Sequence, residues 1–506
     1  MSPISNDEEI ARAEYIELNK ALNRSLARIL DEFPSHRDEI AVSLPSLDNN
    51  IWVSYPQIQE LILSRLENSR WVAPTPSRNQ KIVELKRSKI GVSLELCLQI
   101  FAKPFRVRSL HPSQLPLFNK TTTVFTYSDF DPIGDLFFKN SQFWGPLPSW
   151  FESDQAFSWV GVGRADGQNP LLKQRMQLAI NFIRSLWKLF HSVPIRLKFW
   201  ASARHELKGN LVFLTLRKEF FRGVFGAPAL QAIMLSLDFQ SLLARTGPKA
   251  VLIPYENQLW ERTLIAECRK HEIPVAGAIH TTARFWDLRF IDLDVFSRFQ
   301  PTFIISNGVS AESLLKLGDF APSRIISGSA LRFAHLKDIQ SAPLIKEPSS
   351  VPKKVLVMTG VNLKTAAELI NLLRSSDLLA KSKIVFRPHP STLRWFSKNF
   401  GHEDVDTLPL PSLLKTYGLF VTESISSMTL ELVTAEARVF VYSPKRSLNF
   451  SALATVSDFR SYFADENSLG RLLDKKQKKV DVSELLQLYS SKSDWAEILR
   501  DVTERE

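Results

Sequence analysis

The segment Lys383-Ile384-Val385-Phe386-Arg387-Pro388-His389-Pro390, followed downstream by Leu419-Phe420-Val421-Thr422-Glu423-Ser424-Ile425-Ser426-Ser427, decides how this chain is read. The first stretch is a short β-rich run, Lys383 to Arg387, broken by prolines that leave His389 at the strand's exit. The second is an apolar strand, Gly418 to Thr422, running into the helical pattern Met428-Thr429-Leu430-Glu431-Leu432-Val433. Hydroxyls and backbone N–H groups at such a helix start face an anion, and the helix dipole favours negative charge there. An imidazole beside a serine-rich helix start is the chemistry that a nucleotide-linked phosphate needs.

Working outward, strands alternate with helices from Thr121 onward, the mark of a parallel α/β sheet. Strands are predicted at Thr123 to Tyr127, Leu211 to Leu216, Ala250 to Tyr255, Val275 to Ile279 and Thr302 to Ser306, with helices at Asn257 to His271 and Ala311 to Leu317. A Pro, Ser and Lys-rich stretch, Ser341 to Lys353, reads as a linker before a second series opens at Lys354 to Met358. The expected fold is α/β and GT-B-like: two Rossmann-type domains facing a cleft, with an N-terminal accessory region. The boundaries are 1–117 for the largely helical accessory region, 118–340 for the first domain, 341–353 for the linker, 354–475 for the second domain and 476–506 for a helical tail. Within the accessory region, Asp7 to Phe33 carries apolar residues at helical spacing, whereas Ser35 to Leu117 yields no clear topology.

The 506 residues and 44% hydrophobic content suffice for more than one core. Cys97 and Cys268 are the only cysteines, which excludes a disulfide scaffold or thiolate zinc site and fits a reducing compartment. The polar, acidic start Met1-Ser2-Pro3-Ile4-Ser5-Asn6-Asp7-Glu8-Glu9 predicts no signal peptide, and no window is apolar enough for a membrane span. The expected location is cytoplasmic. A net charge of +11 points to anionic partners. Basic residues from Arg78 to Arg108 surround the apolar run Ile90 to Phe105, which offers a peripheral contact at the inner membrane face, against the plainer reading of a buried element with solvated flanks. No aromatic-interleaved basic platform or helix-turn-helix supports nucleic-acid binding.

With these residues in view, the chain resembles the GT-B-type glycosyltransferases of bacterial surface carbohydrate biosynthesis, in the His-Pro-motif group that includes Kdo transferases and bacterial sialyltransferases. Tyr255-Glu256-Asn257-Gln258-Leu259-Trp260-Glu261, Gly277-Ala278-Ile279-His280-Thr281-Thr282, Arg284-Phe285-Trp286-Asp287-Leu288-Arg289 and Asn140-Ser141-Gln142-Phe143-Trp144-Gly145-Pro146-Leu147 carry the likeness further, over about residues 120 to 470. The resemblance implies that His389 binds the donor phosphate, with Arg387 and Pro390 shaping the turn and Ser426 and Ser427 holding the same phosphate. It also implies a donor contact for Glu423, at the spacing from Glu431 seen in retaining GT-B enzymes; Glu431 itself reads as an ordinary helix carboxylate.

Candidates for moving a proton lie in the first domain. Asp129 and Asp131 follow the first strand, Glu256 follows the strand ending at Tyr255, and His280 ends the next. Each has a structural alternative: turn caps for the aspartates, a helix N-terminal carboxylate for Glu256 and a hydrogen-bonded strand end for His280. The acidic-acidic-glycine motif of related families is only partly present, at Asp166-Gly167, so the base stays unassigned. Arg284, Trp286 and Arg289 are candidates to support a sugar ring or anionic acceptor, with packing between domains as the alternative for Trp286.

The expected activity is transfer of a sugar from a nucleotide-activated donor, CMP-Kdo-like, to a surface polysaccharide or lipid-linked glycan. No metal and no cofactor is expected. Asp129-Phe130-Asp131 and Asp292-Leu293-Asp294 match metal-motif spacing only. The alternatives are a teichoic-acid-type polyol-phosphate transferase, a nucleotide-sugar epimerase and a non-enzymatic basic binding protein.

Overall fold

The computed structural model describes residues 4–47, 56–71, 109–111, 122–127, 141, 143–151, 157–163, 172–291, 294–336, 353–389, 392–400, 405–445, 447–456, 458–475, 480–482, 485–488 and 491–504. Its strands form two sheets, one of seven strands and one of five. The first contains β1 (Ser109–His111), β2 (Thr122–Tyr127), β3 (Phe157–Gly163), β4 (Ala250–Pro254), β5 (Val275–Ala278), β6 (Phe303–Ile305) and β7 (Ile325–Ile326) in the order β1-β3-β2-β4-β5-β6-β7. Only the β1–β3 pairing is antiparallel. The second contains β8 (Lys354–Met358), β9 (Lys383–Arg387), β10 (Leu419–Glu423), β11 (Val439–Tyr442) and β12 (Tyr462–Phe463) in the order β12-β11-β10-β8-β9, all parallel. Helices cross between consecutive parallel strands, as parallel pairing demands. The result is the expected GT-B-like pair of Rossmann-type α/β units.

β4, β5, β10 and β11 are buried along their whole length, so they read as continuous apolar runs rather than alternating ones. Gly277 in β5 is needed for this packing, because a Cβ there would lie 2.9 Å from Tyr255 Cβ and 2.8 Å from Pro301 Cγ.

The predicted strand Leu211 to Leu216 is instead the start of a helix, Leu211–Phe225. Asn210 caps it by accepting from Phe213 N at 2.9 Å, and Val212, Phe213, Leu216, Phe220 and Val224 recur at helical spacing on its buried side. The N-terminal helix Asn6–Asp31 starts on a Ser5–Glu8 capping box and packs with the Pro56–Asn68 and Leu211–Phe225 helices into a core shared with Trp286 and Leu288. The final helix, Lys492–Glu504, returns to the first sheet: Trp495, Ile498, Leu499 and Val502 enter its core, and Trp495 Nε1 donates to Ser329 Oγ at 2.9 Å. The linker 341–353 lies almost wholly outside the described residues.

The described residues include one helix long and apolar enough to cross a membrane, Ala227–Thr246. Half of its apolar window is buried, and Leu235, Phe239, Leu242 and Leu243 belong to the core of the first sheet.

Candidate functional site

The C-terminal ends of β4 and β5 carry the first cluster. Asn257 sits at φ 56°, a left-handed turn that an asparagine tolerates, and the chain reverses there behind Glu256. Asn257 Nδ2 donates to the Leu47 carbonyl and to the Arg289 carbonyl at 3.2 Å, which fastens the turn to the accessory region. Glu261 caps the following helix through Oε2, accepting from the backbone N of Glu256 and of Gln258 at 2.9 Å each.

Held in this way, Glu256 Oε1 lies 3.2 Å from His280 Nε2 and 3.7 Å from Arg289 Nη1, while Gln258 Nε2 donates to its Oε2 at 2.6 Å. Burial opposes ionisation of Glu256, but His280, Arg289 and Gln258 outweigh it and hold the carboxyl below its ordinary range. Burial pushes the His280 imidazole down, against the pull of Glu256. The consistent state is a neutral imidazole donating from Nε2 to an ionised carboxylate that only accepts. Phe143 packs edge-on against the His280 ring with centroids 5.0 Å apart.

Arg289 forms a bidentate pair with Asp287, at 2.6 Å to each oxygen. Burial disfavours the charge on Arg289, but Asp287 more than compensates and raises its pKa. This guanidinium, held by Asp287, lies beside Glu256. Trp286 is completely buried in the helical core, edge-on to Phe285 with centroids 5.3 Å apart.

Arg284 connects this cluster to the second sheet. Its Nη2 donates to the Ile425 carbonyl at 3.0 Å, in the loop after β10. Burial pushes its pKa down to about 10, with Asp287 and Glu256 opposing and Arg289 and Arg332 adding to the fall. Arg332 had no signal in the sequence. It lies in the short 3-10 helix Leu331–Phe333 after β7, with its guanidinium carbon 5.8 Å from the Phe143 ring centroid, and its positive charge lowers the pKa of His280, Arg284 and His389. It is the common electrostatic neighbour of both halves.

At the C-terminal edge of the second sheet, Glu423 ends β10 and is 2% exposed. Burial raises its pKa to about 7, against a hydrogen bond from the Gly360 backbone. A Cβ at Gly360 would stand 2.9 Å from Glu423 Oε2 and 2.5 Å from Ile425 Cγ2, so glycine is required for this approach. Glu423 Oε1, Thr359 Oγ1 and Ser443 Oγ, at the ends of neighbouring strands, are buried without hydrogen-bond partners. Unsatisfied buried polar atoms at the carboxyl edge of a parallel sheet are what a bound ligand would satisfy.

His389 is exposed at the exit of β9, and burial of part of its ring, followed by the charge of Arg332, pushes its pKa down. Its carbonyl accepts from Thr392 N at 2.8 Å and Thr392 Oγ1 at 2.9 Å, which closes the turn. Arg387 donates to the Leu408 carbonyl. Ser426 and Ser427 are half-buried at the start of the Met428–Thr434 helix, and Glu431 on that helix faces His335, Oε2 to Nε2, at 3.3 Å. Asp129, Asp131, Pro390 and the Arg78 to Arg108 segment lie outside the described residues. Among the described residues no group of His, Cys, Asp and Glu is arranged to hold a metal ion.

No protein-family model and no curated protein matches the chain. Similar solved structures include the Methanocaldococcus jannaschii UDP-GlcNAc 2-epimerase in complex with UDP-GlcNAc and UDP, at 13% identity over 55% of this chain and 82% of that one, with a TM-score of 0.37. S. aureus MnaA with UDP matches at 10% identity over 76% and 96%, TM-score 0.44. The Neisseria meningitidis UDP-GlcNAc 2-epimerase bound to UDP-GlcNAc matches at 11% identity over 75% and 100%, TM-score 0.42. At these values the likeness is one of fold. The expectation of glycosyl transfer from a CMP-Kdo-like donor is corrected to this extent: the similar structures named by activity are UDP-GlcNAc 2-epimerases, and none of them is a Kdo transferase or sialyltransferase.

Proposed function

We propose that this chain is an enzyme that binds a nucleotide-linked sugar between its two α/β units and inverts a stereocentre of that sugar by acid–base chemistry. The observation that carries the reading is the Arg284 bond to the Ile425 carbonyl, which joins an ionised carboxylate cluster on one side to a protonatable carboxyl on the other. Epimerisation without a redox cofactor can run by elimination and re-addition. A base takes the proton from the carbon next to the anomeric centre as the C–O bond to the nucleotide breaks and carries off the electron pair, and an acid returns a proton to the opposite face as the nucleotide adds back. Glu256, oriented by His280 and Arg289, suits the base; Glu423, with its pKa near neutrality, suits the acid.

The phosphates would be held by Arg332, His389 and the Ser426–Ser427 turn, with Arg284 adding positive charge from the first domain. A diphosphate brings two to three negative charges, which this concentration of cations and hydroxyls would offset. The product would feed surface carbohydrate assembly in a bacterial cytoplasm. This chemistry requires no acceptor glycan.

Isothermal calorimetry with UDP, CMP and UDP-GlcNAc tests the binding half; UDP-GlcNAc is the ligand of the similar solved enzymes and the first sugar nucleotide to try. Binding that weakens at least about tenfold in Arg332→Ala and in His389→Ala supports the reading. Binding unchanged in both variants would remove the phosphate site from this cleft.

A further inference from the structure

The helix Leu172–Glu206 buries Leu189, Phe199 and Ala203, yet it also turns polar residues inward and leaves several large apolar side chains open. Its buried face carries Asn181, Ser185, Ser192 and Arg196, whereas Ile183, Trp187, Phe190 and Leu197 on the opposite face are 65%, 64%, 75% and 52% exposed. The inward polar groups are satisfied. Asn181 Nδ2 donates to Asp238 Oδ1, Ser185 Oγ donates to the Asn181 carbonyl at 2.6 Å, and Arg196 bonds Ser192, Glu39 and the Val224 carbonyl. The fold therefore holds this helix through apolar and polar contacts together and leaves Ile183, Trp187, Phe190 and Leu197 in the open, where an ordinary surface helix carries polar side chains.

The charges around that stripe have one sign. Arg184, Lys188 and Lys198 are exposed along its border, and from Leu172 to His205 the sequence contains no Asp or Glu. A second copy of this chain would set these cations against their own equivalents with no carboxylate from Leu172 to His205 to answer them, which disfavours a symmetric dimer of this helix on itself. Protruding Trp and Phe beside Lys and Arg, without acids, match the boundary between anionic headgroups and acyl chains.

We propose that this face docks on an anionic lipid surface: Trp187, Phe190, Ile183 and Leu197 enter the interface while Arg184, Lys188 and Lys198 meet the headgroups. The inference is independent of the chemistry assigned to the cleft. It lies on a different segment from the basic Arg78 to Arg108 stretch.

The test is co-sedimentation of the full chain with phosphatidylcholine vesicles and with vesicles containing about a third phosphatidylglycerol. Wild type should pellet with the anionic vesicles, less with the neutral ones, and less as salt rises. The double variant Trp187→Glu/Phe190→Glu should lose binding at least about tenfold with its unfolding temperature unchanged, because both side chains are exposed. Arg184→Gln and Lys188→Gln should each weaken binding to the anionic vesicles roughly fivefold. Wild type remaining in the supernatant with both vesicle types, or the Glu double variant pelleting like wild type, would overturn the proposal. So would sedimentation velocity that finds a dimer broken by the same double variant with no vesicle binding.

Discussion

Arg284 of the first domain donates through Nη2 to the carbonyl of Ile425 at 3.0 Å, so one buried guanidinium spans the gap between the ends of the two sheets. The bond ties the Glu256 cluster to the loop that follows Glu423. A charged donor replaced by an apolar side chain of similar length loses this tie and leaves the carbonyl bare. Arg284→Met is expected to lower stability by roughly 1–3 kcal/mol and to weaken nucleotide affinity, measured by denaturant unfolding and calorimetry. Unaltered affinity would separate the bond from ligand binding.

Glu423 supplies a pH dependence with a definite sign. Its folded pKa, about 7, stands above the ordinary 4.5, so the folded state binds the proton more tightly than the unfolded chain. The associated stability is fully present below about pH 4.5 and is lost as pH rises through about 7, on the order of 3 kcal/mol at most. Glu423→Gln should abolish this part of the stability–pH profile, read from urea midpoints at successive pH values. A profile identical to wild type would mean that Glu423 ionises normally.

The turn at Gly145 secures the surroundings of His280 and Arg332. Ser141 and Gly145 exchange backbone hydrogen bonds at 2.9 Å, Gly145 has φ 49°, and a Cβ there would lie 2.1 Å from the Leu331 carbonyl oxygen. Gly145→Ala should cost on the order of 2–4 kcal/mol in thermal or denaturant unfolding. Gly209, with nothing within 4 Å of its added Cβ, is the control: Gly209→Ala should stay within about 0.5 kcal/mol.

Glu256→Gln preserves shape and removes the charge. Turnover should fall by about a hundredfold or more while the protein stays folded. In the same variant the His280 pKa should drop further, since Glu256 is the group that raises it, and proton NMR of the imidazole reads that directly. A His280 pKa that rises instead would show that the two side chains do not face each other.

β2, β4, β5, β6, β8, β9 and β10 were legible because buried parallel strands give short continuous apolar runs with clear turns between them, whereas β1, β3, β7, β11 and β12 were not predicted. Glu256 and His280 were singled out for the same reason: each directly follows such a run. What escaped lacks a period or blurs one. Arg332 sits in the three-residue 3-10 helix Leu331–Phe333, too short for a period, and Leu172–Glu206 blurs its helical signal by placing Asn181, Ser185, Ser192 and Arg196 inward beside Leu189 and Phe199. The burial of Trp286 and Arg289 was not legible because flanking arginines suggest solvent, whereas here Asp287 and Glu256 pair with Arg289 inside the protein. Leu211 to Leu216 is too short to distinguish strand from helix until the Asn210 cap is seen.

The most direct test of the central claim is incubation of the purified chain with UDP-GlcNAc in deuterium oxide, with no acceptor present, followed by NMR and mass spectrometry of the nucleotide sugar. The account predicts a second epimer carrying one solvent deuterium on carbon, formed by wild type and not by Glu256→Gln. Recovery of unchanged, unlabelled nucleotide sugar, or turnover only when an acceptor glycan is added, would contradict it.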